Sequence, residues 1–118
     1  MNYNIRKIEI NDYYKGYFSL LSQLTSSEDV NFEEWDMRIK EIEKNPYHHI
    51  FVIEDKGKII GSITLLIEIK IIRKLSKVGH LEDVVVSNEY RGKGIAKKLI
   101  QHCINVSKTE GCYKLILD

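Results

Sequence analysis

The sequence is short of proline, cysteine and long apolar runs, and each shortage excludes something. One proline, Pro46, in 118 residues leaves no proline-rich linker, so a single folded unit over residues 1–118 is expected. Two cysteines, Cys103 and Cys112, stand at no metal-binding or redox spacing. They read as free thiols of a reducing compartment, which points to the cytoplasm. His48, His49, His80 and His102 fall at no recognised ligand spacing, so no metal is expected. The N-terminal MNYNIRKIEI lacks the apolar stretch of a signal peptide. The most apolar region, Ile59 to Ile72, is interrupted by Ser62, Thr64, Glu68 and Lys70, which excludes a membrane span. A net charge of +1 gives no basis for general nucleic-acid binding, so any basic site must be local.

What is present is ordinary for a soluble globular domain: 43% hydrophobic and 30% charged residues. A chain of this size buries roughly two-thirds of its unfolded surface, enough for one core. Tyr3 to Glu9 alternates as a strand with one wet face. Asp12 is placed to cap an amphipathic helix over Tyr13 to Leu24, which Thr25-Ser26-Ser27 ends. Asn31 caps a second helix, with Glu33 and Glu34 in its first turn and Phe32, Trp35, Ile39 and Ile42 on one face; Asn45-Pro46 stops it. His49 to Glu54 and Ile59 to Ile69 read as strands joined by the turn Asp55-Lys56-Gly57-Lys58. A basic connection, Ile72 to Lys77, leads to a strand from Gly79 to Val86, whose Val84-Val85-Val86 run suggests burial on both faces. A helix follows from Gly94 to Thr109, with Gly111 as its C-cap and a last strand from Tyr113 to Leu117. The order β-α-α-β-β-β-α-β predicts an α/β (α+β) fold with a mixed sheet flanked by helices, its last two strands parallel.

The segment EDVVVSNEYRGKGIAKKL sets an Arg-Gly-Lys-Gly turn between a strand and a helix. A helix N-terminus offers unpaired N–H groups and partial positive charge, and glycines let the backbone approach a bulky anion. Lys93, Lys97 and Lys98 add charge, so the turn suits a phosphate or pyrophosphate. A plain strand-to-helix turn with solubilising lysines reads equally well. A Walker loop is absent, and Lys97 occupies the third small position of a dinucleotide fingerprint.

Arg91-x-x-Gly94-x-Ala96, directly after a strand and opening a helix, resembles the acetyl-CoA pyrophosphate loop of the GCN5-related N-acetyltransferases, the GNAT superfamily. Within it, GHLEDVVV (79–86), the Tyr90 to Gly94 turn and GCYKLILD (111–118) resemble the glucosamine-6-phosphate N-acetyltransferase family. Gln23-Leu24-Thr25 and the basic segment around Lys70 to Arg73 fit that family too, so the likeness spans nearly the whole chain.

The resemblance implies direct attack of the amine of glucosamine 6-phosphate on the thioester of acetyl-CoA, in the service of UDP-N-acetylglucosamine synthesis. It implies that Arg91, Gly92, Lys93, Gly94, Ile95 and Ala96 hold the pyrophosphate. It implies that the backbone of Val84, Val85 and Val86 pairs with the pantetheine arm and supplies an oxyanion donor. Glu82 and Asp118 are the candidates to orient the amine and take its proton, with Asp83 a third carboxylate; as strand neighbours, Glu82 and Asp83 should point to opposite faces. Without the resemblance this pair reads as a solvated couple at a strand bend. Thr25, Lys70 and Arg73, with Glu82, are implied substrate contacts; relatives often carry histidine at 73, and Lys70 and Arg73 also read as a wet loop. His80 reads as a structural partner or a proton shuttle.

The sequence ends at Asp118, where relatives continue with a further helix and strands, including a tyrosine that protonates the leaving thiolate. An unpaired last strand predicts pairing with a second copy, a homodimer. Two other functions stay open on the residues: acetyl transfer to another amine, and a shortened, non-catalytic acyl-CoA-binding or dimerising protein.

Overall fold

A computed structural model describes residues 3–26 and 30–118. The elements are β1 (Ile5–Lys7), a 3-10 turn (Ile10–Tyr14), α1 (Tyr17–Leu21), α2 (Phe32–Glu43), β2 (His48–Asp55) and β3 (Lys58–Ile69). Then come the single turn α3 (Ile72–Leu75), β4 (Lys77–Val86), a 3-10 turn (Asn88–Tyr90), α4 (Ile95–Thr109) and β5 (Cys112–Leu117). The strands form one sheet in the order β1-β2-β3-β4-β5. Neighbours are antiparallel except β4 and β5, which run parallel across the α4 crossover. The expected element order and mixed sheet are both found. No helix among the described residues is long and apolar enough to cross a membrane.

The sheet has a core on each face, and strand alternation assigns residues to one or the other. Phe51, Ile53, Ile63, Leu65 and Leu81 meet Ile95, Leu99 and Cys103 of α4. Val52, Ile59 and Val85 face the other way, onto Tyr17 and Leu20 of α1 and Trp35 and Ile39 of α2. α4 lies close because β3 carries a glycine beneath it: a Cβ on Gly61 would stand 2.9 Å from Ile95 Cγ2 and 3.2 Å from Leu99 Cδ1. Gly61 therefore fixes where the first turn of α4 sits. Cys103 is buried in the same layer, and burial pushes its thiol up to about 12. That chemistry is inert, as its position on the apolar stripe suggests.

α2 begins as expected. Asn31 Oδ1 accepts from the Glu34 N–H at 2.9 Å, and Glu34 returns a bond to the Asn31 N–H at 3.1 Å. The first helix differs. Instead of one helix over Tyr13 to Leu24, Gly16 at φ 76° separates the 3-10 turn from the five-residue α1. Asp12 does not cap Tyr13. Its carboxylate is fully buried, takes Arg6 at 2.8 and 2.9 Å, and accepts from the Glu9 N–H at 2.8 Å. That last bond makes Asp12 the third residue of a capping box begun by Glu9, and the ionic bonds to Arg6 satisfy its buried charge. Ser27, in the expected break after this helix, lies outside the described residues. The first strand is shorter than Tyr3 to Glu9, because β1 pairs with β2 only over Ile5–Lys7. In the Ile72 to Lys77 connection, Arg73, Lys74 and Leu75 are left-handed, at φ 53°, 56° and 63°, and Lys77 already belongs to β4.

Candidate active site

The site is organised by an irregularity in β4. Ser62 pairs with Val85, and Thr64 with Glu82. One residue of β3, Ile63, therefore stands opposite two of β4, Asp83 and Val84. This is a β-bulge, and Asp83 takes the left-handed φ of 51° that the extra residue demands. The bulge overturns the expectation that Glu82 and Asp83 face opposite ways: both line the same cavity. It also corrects the reading of Val84-Val85-Val86 as buried on both faces. Val85 is 5% exposed, whereas Val84 and Val86 are only half-buried and border a cavity on the α4 side.

The other edge of β4 carries β5. The pairing of β4 with β5 ends at Leu81 and Leu117, with a last bond from the Asp118 N–H to the Leu81 C=O at 3.0 Å.

The cavity on the α4 side encloses about 310 Å³ and is lined by Val84, Val86, Tyr90, Arg91, Gly92, Gly94, Ile95, Ala96 and Lys97. Gly92 and Gly94 are left-handed, at φ 79° and 76°, and the space a Cβ would take at each is open. Gly94 is the N-cap of α4, and no side chain caps that end. The first in-helix bond runs from the Lys98 N–H to the Gly94 C=O, so the amides of Ile95, Ala96 and Lys97 precede the helical ladder. The side chain of Ile95 is buried in the core, so Ile95 offers the cavity its backbone. Lys93 and Val85 do not line it: the Lys93 ammonium lies 5.2 Å from the Tyr90 ring centre, and Val85 faces the opposite core. The Tyr90 hydroxyl donates to Asp55, and that bond pushes the phenol up to about 12.

Across the sheet, a cavity of about 560 Å³ lies between β4 and the two first helices. Its walls are largely apolar, with Tyr17, Phe18, Leu21, Trp35 and Ile39; its polar members include Thr64, Glu82, Asp83, Glu34, Arg38 and His48. Desolvation raises the Glu82 carboxyl, a hydrogen bond with Asp118 raises it further, and the charges of Asp118 and Asp83 add to this. Asp118 is held in turn by His80, whose Nδ1 lies 3.2 Å from Asp118 Oδ2. The other nitrogen, Nε2, lies 3.0 Å from Glu68 Oε1, and Lys70 Nζ is 3.2 Å from Glu68 Oε2. His80 and then Lys70 hold the Glu68 carboxyl below its ordinary value.

Glu82, Asp83 and Asp118 are thus brought together around the bulge. Thr25, Lys70 and Arg73 line neither cavity. Thr25 stands just past α1, with its N–H on the Leu21 C=O. Arg73 stacks over the Tyr113 ring at 5.0 Å. Sequence reasoning missed the Glu68–His80–Asp118 chain, because its members come from two strands and from just past a third. It also missed the bond from the Gln23 side chain to the end of β4 at 2.7 Å, which spans residues far apart in sequence.

A family model described as acetyltransferase (GNAT) family matches residues 4–118. A glucosamine 6-phosphate N-acetyltransferase of Arabidopsis thaliana is 42% identical over 98% of this chain and 80% of its own length. Glucosamine 6-phosphate N-acetyltransferase 1 of Dictyostelium discoideum is 38% identical over 98% of this chain and 74% of its own. The crystal structure of the glucosamine-6-phosphate N-acetyltransferase from Arabidopsis thaliana superposes with a TM-score of 0.95 at 44% identity, covering 100% of this chain and 82% of that one.

Proposed function

The chain belongs to the GNAT acetyltransferase family, and from that premise we propose that it transfers the acetyl group of acetyl-CoA to the amine of glucosamine 6-phosphate. The family uses acetyl-CoA, and the relatives at 42% and 38% identity carry this acceptor in their names. One observation carries the assignment of the site. A helix N-terminus with two open left-handed glycines shares a cavity with Val84 and Val86 of β4, while the raised carboxyl of Glu82 stands at the bulge of that same strand.

In this reading the pyrophosphate rests on the amides from Arg91 to Ala96, with Arg91 and Lys93 as balancing charges. The pantetheine arm lies against the β4 backbone at Val84, Val85 and Val86 and brings the thioester toward the bulge. The acceptor enters from the cavity of Tyr17 and Trp35. Its neutral amine attacks the thioester carbonyl, a C–N bond forms, and the charge growing on oxygen meets a backbone N–H of β4. The C–S bond breaks and the thiolate leaves with the electron pair. The amine proton passes to Glu82 or Asp118, directly or through water, with Asp83 shaping the field. Desolvation and the Asp118 hydrogen bond keep Glu82 a better base than an ordinary carboxylate. Thr25, Lys70 and Arg73 act on the sugar phosphate.

The protein acts as a cytoplasmic homodimer in this reading. Ile69, Ile71, Ile72 and Leu75 at the β3–β4 end are 58–82% exposed and form an apolar surface for a second copy. The two cysteines are free, which suits a reducing compartment.

The test is release of free CoA thiol from acetyl-CoA on addition of glucosamine 6-phosphate, with free glucosamine for comparison. Release with the phosphorylated sugar and little with the free one supports the assignment. CoA binding without release to either sugar refutes it.

A further inference from the structure

The Val86–Ser87 peptide is where β4 ends and the turn toward Gly92 and Gly94 begins. Its N–H, on Ser87, donates to the Ile60 C=O of β3 at 2.8 Å. In a trans peptide the C=O points the other way, so the Val86 C=O faces the edge of β4 away from β3. A side chain meets it there: Gln23 Nε2 donates to the Val86 C=O at 2.7 Å. The Oε1 of the same amide accepts from the Asn88 N–H at 3.1 Å. One planar group thus replaces the backbone of a neighbouring strand, engaging a C=O and an N–H two residues apart as a ladder does. The turn beyond is held by the Tyr90 N–H on the Ser87 C=O at 2.8 Å, and the glycine loop starts directly after it.

We propose that Gln23 is a positioning residue for acetyl-CoA. Its amide occupies the edge of β4 away from β3, at the Val86 C=O and the Asn88 N–H. Strand-like pairing with the pantetheine arm then ends at the Val86 N–H, and the spacing between that edge and the pyrophosphate loop is fixed. The proposal rests on the cofactor reading given above. Gln23 is exposed, so water competes for each bond singly; what water cannot supply is the fixed spacing of two bonds from one rigid amide.

The test compares wild type with Gln23→Met, which keeps the reach and loses both bonds, and Gln23→Glu, which keeps the acceptor for Asn88 and loses the donor to Val86. CoA is titrated calorimetrically, with melting temperatures of the free proteins measured alongside. For Gln23→Met the dissociation constant should rise about tenfold, as expected for one or two net hydrogen bonds. Gln23→Glu should be at least as weak, since it sets a carboxylate against a carbonyl. KM for acetyl-CoA should follow, while KM for the amino sugar phosphate holds. A lower melting temperature with unchanged CoA affinity would reduce Gln23 to a tether of α1 and overturn the proposal. If wild type itself fails to bind CoA, the cofactor reading falls and this one with it; if wild type binds and both variants match it, only the role of Gln23 falls.

Discussion

Replacing Gly94 by alanine separates the two things the N-cap of α4 is asked to do. At φ 76° and ψ 18° an L-residue is left-handed, at a cost of about 1–2 kcal/mol. Alanine returns roughly 0.4–1 kcal/mol by restricting the unfolded chain. No atom stands within 4 Å of the new Cβ, so no clash adds to the sum. The net loss should be about 1 kcal/mol, a fall of roughly 3–6 °C in Tm for a chain of this length. Gly57, in the β2–β3 turn, is the matched control: its φ is 77° and its Cβ space is equally open. Gly57→Ala should lose the same stability. The two should part when CoA is titrated. At position 94 the Cβ enters the space through which a pyrophosphate must reach the amides of Ile95 and Ala96, and loss of about one charge-assisted hydrogen bond weakens binding roughly tenfold or more. At position 57 the affinity should be that of wild type. Thermal melts and calorimetry on the three proteins decide the matter. Equal CoA affinity in both variants would refute the placing of the pyrophosphate on this helix end.

Other outcomes follow from the same structure. Gly61→Ala forces a Cβ to 2.9 Å from the stiff, buried Ile95 side chain, so it should cost about 1–3 kcal/mol in urea unfolding and weaken CoA binding by moving the first turn of α4. Asp12→Ala leaves Arg6 half-buried with one of its carboxylate partners gone, and should cost about 3 kcal/mol or more by the same assay, with CoA affinity per folded molecule unchanged. Glu82 is raised when folded, so the native state holds its proton into a range where the unfolded chain has released it. Its contribution to stability is therefore present at low pH and lost as pH rises through the folded value, and its base form appears only above that value. An NMR titration of the labelled carboxyl should place Glu82 above the ordinary range, and Asp118→Asn should lower it; no movement would remove Asp118 as its partner. Sedimentation at micromolar concentration should show a dimer, and Leu75→Glu should shift it toward monomer.

Much of the fold was legible because the local signals and the tertiary packing agree. The stripe of Ile95, Leu99 and Cys103 is both helical in period and the face that α4 buries. The Asn31 and Glu34 capping pair is readable four residues at a time and is found as bonds. The first helix was misread because the apolar positions continue past Gly16, while the chain's need to bury Asp12 against Arg6 fixes a 3-10 turn before it. That need depends on Arg6 and Glu54 arriving from two strands, which no local window contains.

The site shows the same division more sharply. The glycine turn and the acidic residues could be picked out by type and position, but their relation could not. Alternation along an ideal strand sets Glu82 and Asp83 on opposite faces. The bulge, visible only in the pairing of Ser62 and Thr64 with Val85 and Glu82, puts both on one cavity and turns Val84 and Val86 toward the other. A bulge needs a partner strand to be out of step with, so it leaves no mark in the sequence of one strand. Here the extra residue at Asp83 sets a second carboxylate beside Glu82, while the strand beyond keeps Val85 on one core and Val84 and Val86 on the other side. Removing Asp83 should erase the bulge and restore strict alternation from Glu82 to Val86, with Val85 still on the α1–α2 face and Val84 and Val86 still on the α4 face. The apolar packing of Val85 on Tyr17 and Trp35 should therefore survive, so the deletion should leave the chain folded and remove only the second carboxylate from the cavity of Glu82. A loss of several kcal/mol in urea unfolding would refute this account of the register, since it would mean that Val85 had left that face.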